Sequence, residues 1–179
     1  MADLSIYLFW SGMATAAIAA VLYVVYVASA AVALRAVRAQ TTAGTVTLST
    51  ATGRPNPGIG RLATSFTGIT VLFLAGQVAT RWSAVGHAPF ANLYEFTAAF
   101  GFAIAAAYLA FEAYTRNRRF GLLAMPIVLG MLVIASLFPS DIVPLIPALQ
   151  NGPLLTIHVS VMMLSYAVLT VSFCGAAIY

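Results

Sequence analysis

The sequence predicts an all-α, polytopic membrane protein with about five transmembrane helices and its N-terminus outside. Three observations carry that expectation. Of 179 residues, 62% are hydrophobic and 7% charged, where a soluble domain carries about 25% charged residues. Several apolar runs reach about 20 residues, the length that crosses a bilayer as a helix. The eight basic residues are all arginine, and they gather in alternate connections between those runs.

Taken in order, the first span covers residues 5–34, and its alanine-rich end at 28–33 suits close packing against a neighbour. Residues 35–61, with Thr, Gly and Pro among them, read as a polar loop. The second span is 62–80, followed by a connection at 81–91. The third span is 93–113, and a short basic turn occupies 114–119. The fourth is 120–138, with Pro126 near its start. Residues 139–153 form a longer connection holding Pro139, Pro144 and Pro147, either a structural link or a lid lying along the membrane surface. The fifth span is 154–179. The first run has no basic segment before it and no clear cleavage site, so it reads as a retained helix rather than a signal peptide. Residues 1–179 read as one membrane domain.

The arginines orient this layout. Arg35, Arg38, Arg54 and Arg61 fall in the first connection and Arg116, Arg118 and Arg119 in the third; Arg81 alone falls elsewhere. Both basic connections lie on the same side of a five-span chain, and the positive-inside rule makes that side cytoplasmic. The N-terminus and residues 81–91 and 139–153 are then outside. Trp10, Trp82 and Phe138 sit near span ends, as interfacial aromatics do.

Several chemistries are excluded. The single cysteine, Cys174, cannot form an internal disulfide or a CxxC pair and reads as a small packing residue. There is no CxxCH, phosphate loop, HExxH motif or paired intramembrane carboxylate. No span carries two histidines a few turns apart, as a di-haem electron-transfer bundle needs. The high isoelectric point reflects loop arginines in a membrane protein and does not indicate nucleic-acid binding.

Two stretches carry candidate chemistry. The first is residues 86–96, GHAPFANLYEF. Asn92 suits the N-cap of the third span, and Glu95 three residues on suits a capping box. Glu95 is equally an acid just inside a span, where a buried polar partner is expected. Gly86 and Pro89 read as turn residues and His87 as a loop histidine. The second stretch is residues 150–167, QNGPLLTIHVSVMMLSYA. His158 lies about four residues into the fifth span, roughly 6 Å below its start. It shares a helix face with Met162, Ser165 and Tyr166. The other side carries Ser160, Leu164, Ala167 and Val171. On these residues alone, two roles fit His158: a ligand to a metal or haem iron, or helix packing through hydrogen bonds and soft Met contacts.

The two stretches together resemble the CcsA/ResC family, called CcsB in some bacteria, of System II cytochrome c biogenesis. The family pattern close to GHxPxxNxYE is met by Gly86, His87, Pro89, Asn92, Tyr94 and Glu95. A second, close to PALQ…HVxxxxxxYA, is met by Pro147, Ala148, Leu149, Gln150, His158, Val159, Tyr166 and Ala167. The resemblance implies a bacterial cell-membrane protein that presents haem b outside for attachment to the CxxCH of apocytochrome c. It implies a ResB-type partner subunit and places an axial iron ligand on His158. Met162, Tyr166 and His87 are further candidates around the haem. No catalytic residue for the thioether step is visible.

There are departures. The tryptophan-rich WWD segment of the family is missing, and a truncated member or a fragment is expected. The tryptophan common before the histidine is replaced by Pro153-Leu154-Leu155. Two other functions compete with this reading. A small-solute transporter subunit needs polar groups near mid-span or matching broken helices, and neither is seen. A ligand-free structural subunit leaves the paired motifs without a purpose.

Overall fold

The computed structural model describes residues 2–42, 55–141 and 152–178, and every regular element among them is helical. Helix α1 runs Ala2–Thr42, α2 Pro57–Val85, α3 Leu93–Thr115, α4 Gly121–Ser136 and α5 Gly152–Ile178. A 3₁₀ turn, Arg118–Phe120, leads into α4. Counting that turn with α4, the described residues hold 5 helices long and apolar enough to cross a membrane. This is a multi-pass helical membrane protein.

Local chemistry sets the helix ends. Asn56 accepts a hydrogen bond from the Gly58 amide, and Pro57 opens α2 where its missing N–H costs nothing. Gly86, at φ 75°, closes α2 in the left-handed region and donates its N–H to the Trp82 carbonyl. Asn92 caps α3 by accepting from the Glu95 amide at 2.8 Å. Asn117 does the same for the 3₁₀ turn, accepting from the Arg119 amide.

Two expected loops are shorter than the sequence suggested. Helix α1 continues to Thr42 and α2 starts at Pro57, so much of 35–61 is helix. At 1.5 Å per residue, α1 is about 60 Å long, well beyond a hydrocarbon core of about 30 Å. Residues 81–85 also belong to α2. Arg81 and Ser83 hid the helical continuation, because hydropathy marks where the membrane ends and not where a helix does.

The helices run alternately up and down. Phe9 of α1 packs its ring, tilted, against Tyr94 of α3, and Arg81 of α2 meets Glu95 of α3 at one end of the bundle. Tyr23 of α1, Thr64 of α2 and Glu112 of α3 meet at the other. Helices α1 and α2 pack through small residues: Ala16, Ala19 and Ala63 are fully buried. A Cβ on Gly12 would come within 2.9 Å of Leu74. Without a hydrophobic drive between helices in lipid, such close backbone approach is what holds them.

Helix α5 rests chiefly on α3. Its buried face is Leu155, Met163, Ala167, Val171 and Cys174. Of the four residues on the side of the helix away from His158, Ala167 and Val171 are buried and Ser160 and Leu164 are exposed. Met163 takes their place because α3 lies to that side of the helix. Cys174 is buried.

Candidate functional site

A groove of about 250 Å³ runs between α3 and α5 near one end of the bundle. Helix α5 contributes His158, Val159, Met162, Met163 and Tyr166, and α3 contributes Phe96 and Phe100. The i, i+4, i+8 spacing of His158, Met162 and Tyr166 places all three on one side of α5. The i, i+4 spacing of Phe96 and Phe100 does the same on α3. The Phe100 and Tyr166 rings meet edge-on, with centroids 6.5 Å apart, and close the inner end.

His158 is exposed, and its imidazole forms no hydrogen bond with another described residue. Each ring nitrogen is therefore open to an outside partner. Helix α5 begins at Gly152, so His158 lies six residues in, about 9 Å along the axis. That is a little deeper than expected and still near the end of the span. The walls are apolar and aromatic, so the groove suits a flat, largely apolar ligand with one coordinating contact. Its volume is below the about 300–1,000 Å³ that encloses a drug-sized ligand. It receives an edge or a face rather than a whole molecule.

The other expected site residues lie elsewhere. His87 does not line the groove; it is half-buried in the α2–α3 loop, with Nδ1 2.9 Å from the Ala88 carbonyl oxygen. Pro89 is buried in the same loop. Gly86 and Asn92 are the two helix caps described above. Gln150, with Pro147, Ala148 and Leu149, lies outside the described residues. Among the described residues, no three His, Cys, Asp or Glu side chains gather as a metal site.

Glu95 holds the loop together. One carboxylate oxygen accepts from the Ala91 amide at 2.9 Å, one residue before the cap. The other accepts from Arg81 Nε at 2.8 Å. Arg81 was expected in the connection at 81–91. It is instead fully buried in α2, and its guanidinium lies 5.2 Å from the Tyr94 ring centroid. Its Nη2 also donates to the Ser140 and Asp141 carbonyls. Arg81 thus ties α2, the start of α3 and the segment after α4 together, beside the α3 face that carries Phe96.

Sequence reasoning missed three further residues. Phe96 and Phe100 form half of the groove, and a 3.6-residue period on α3 was their only signal. Glu112 is buried near the far end of α3. It accepts from Tyr23 at 2.5 Å and Tyr108 at 2.6 Å, and also from Thr64, while Arg118 Nε stands 3.3 Å away. An acid within an apolar span was itself the signal.

The fold and this groove define a multi-pass helical membrane protein with an accessible imidazole on an aromatic-lined groove between two of its apolar helices. Its sequence matches proteins named cytochrome c biogenesis protein CcsA. The relative from Gloeobacter violaceus is 36% identical over 119 residues, covering 64% of this chain and 35% of that protein. The relative from Trichormus variabilis is 38% identical over 119 residues, covering 64% and 34%. The relative from Pyropia yezoensis is 38% identical over 120 residues, covering 63% and 37%. Over this matched stretch the chain is similar to proteins named cytochrome c biogenesis protein CcsA. It spans about a third of the length of the curated relatives it matches. No protein-family profile matches the chain, and no solved structure does.

Proposed function

We propose that this chain handles haem during cytochrome c biogenesis and that His158 is an axial ligand of the haem iron. The observation that carries the reading is the free, exposed imidazole of His158 beside the groove walled by Phe96, Phe100, Met162 and Tyr166. The CcsA resemblance supports it, since those relatives are named for cytochrome c biogenesis. Haem is cargo here, and the residues present fit it. A neutral imidazole coordinates iron without burying a charge, and apolar side chains suit the edge of a porphyrin.

The bound haem supplies vinyl carbons to which the thiols of an apocytochrome CxxCH add. The chain's own part is to bind and orient. Helix α5 gives His158 a fixed direction, and the Phe100–Tyr166 contact sets how far a flat ligand can slide inward. Met162 lies one helical turn below His158 and approaches a ligand from the same side. It serves as a wall rather than as the opposing axial ligand. The Arg81–Glu95 pair positions the start of α3, and so Phe96.

We place the Arg81–Glu95 end outside and the Arg118–Glu112 end in the cytoplasm of a bacterial cell membrane. Arg81 is consumed in a buried ion pair, so the one arginine that opposed this orientation is not a free topogenic charge. A ResB-type subunit and apocytochrome c are the partners this reading requires.

Haem titration of the purified chain tests the ligand assignment. With His158 the one imidazole lining the groove, weak saturable binding with a Soret shift is expected. His158→Ala should lose that shift, and added imidazole should restore it to His158→Gly. Identical spectra for the wild type and His158→Ala would overturn the assignment.

A further inference from the structure

The end of the bundle away from His158 holds a second recess, of about 450 Å³. The start of α2 contributes Arg61 and Thr64, the end of α3 contributes Glu112, and the turn into α4 contributes Arg116 and Arg118. Three guanidiniums against one carboxylate leave two positive charges in excess.

Those charges are not equally free. Glu112 has both oxygens engaged, by Tyr23 and Tyr108 on one and by Thr64 and Arg118 on the other. Arg118 also donates from Nε to Thr64 at 2.9 Å. Glu112 and Arg118 therefore form a closed floor. Arg61 and Arg116, both exposed, have no ion-pair partner among the described residues. Arg116 is also the one non-glycine residue among them with positive φ, at 54°. A long side chain in the left-handed region costs free energy that glycine avoids, yet an arginine occupies the position, at the mouth of the recess.

We propose that this recess binds a phosphate oxyanion, presented by the headgroup of an anionic phospholipid. The guanidinium fork matches phosphate geometry. The recess opens where the apolar stretches of α2 and α3 end, at headgroup level, and basic pockets between transmembrane helices hold such headgroups. Inorganic phosphate shares the chemistry, and the test separates the two sources.

The test is native mass spectrometry of the full chain in detergent, titrated with phosphatidylglycerol or phosphatidylcholine, with inorganic phosphate as a separate ligand. Both headgroups carry a phosphate, but the ammonium of phosphatidylcholine cancels its charge, so the anionic lipid should bind on the order of thirtyfold more tightly, at about fivefold for each arginine near an anionic surface. The double variant Arg61→Gln/Arg116→Gln should bind both lipids alike. Arg116→Gly relieves the backbone strain, so it should leave thermal stability unchanged or raised while weakening the anionic lipid. A purely structural arginine would not separate these two readouts. Tight binding of inorganic phosphate with no preference between the lipids would assign the oxyanion to a soluble source and sink the headgroup assignment. Equal affinity of the wild type and the double variant for phosphatidylglycerol would overturn the site altogether.

Discussion

Arg81 Nε donates to Glu95 Oε1 across 2.8 Å, with the two side chains 0% and 1% exposed. A buried pair of this kind is costly to break from one side, because the survivor is left charged without compensation. Glu95→Ala or Arg81→Ala should therefore destabilise the chain by about 3–5 kcal/mol. The double variant Arg81→Met/Glu95→Leu should lose less than the sum of the two single changes. A double-mutant cycle on unfolding in denaturing detergent checks this, and strict additivity would show that the pair is not coupled.

Gly121 opens α4 directly under the ring contact of Tyr23 and Tyr108. A Cβ there would come within 2.5 Å of the Tyr108 hydroxyl and closer still to Tyr23. Gly121→Ala should cost about 1–3 kcal/mol, as overpacking does. Gly130→Ala on the same helix, with nothing within 4 Å of the added carbon, should be neutral or slightly stabilising. Detergent-solubilised yield and thermal stability of the two variants should differ in that order.

Tyr23→Phe removes one donor from Glu112 and leaves the ring in place. A hydrogen bond to a charged group contributes about 1.5–3 kcal/mol, and that loss should appear in the unfolding free energy. Glu112→Ala should cost more, since it removes the acceptor of both buried hydroxyls, Tyr23 and Tyr108, and the ion-pair partner of Arg118. Equal losses for the two variants would mean that the other donors do not depend on the carboxylate.

Orientation can be read with a membrane-impermeant thiol reagent in a Cys174→Ser background. A cysteine at Asn117 should be protected in intact cells and one at Ser83 should react. Gly86 is a poor labelling position because its φ of 75° disfavours a side chain. Labelling of Asn117 from outside would invert the topology.

In cells whose cytochrome c assembly depends on this protein, His158→Ala should abolish holocytochrome c while the protein stays inserted. His158→Gln separates ligation from packing, since glutamine keeps hydrogen bonding and ligates iron poorly. Haem staining of cytochrome c is the readout. Normal staining with both variants would remove the ligand role.

The helices themselves were legible in the chain read one stretch at a time. Apolar runs marked the five spans, Asn92 marked the start of α3, and the spacing of His158, Met162 and Tyr166 placed them on one face of α5. Each of these depends on neighbours within a few residues. What only the tertiary structure decided is which distant groups meet. Hydropathy counts Arg81 as a loop charge, and its burial depends on Glu95 and on the carbonyls of Ser140 and Asp141. Glu112 reads as a lone acid until Tyr23, 89 positions away in sequence, donates to it. The groove exists only because α3 lays Phe96 and Phe100 against α5. The physical reason is the bilayer. It rewards any sufficiently apolar helix alike, so composition specifies that a segment crosses, while helix pairing rests on small-residue contacts and a few buried polar bonds whose two halves lie far apart in the chain.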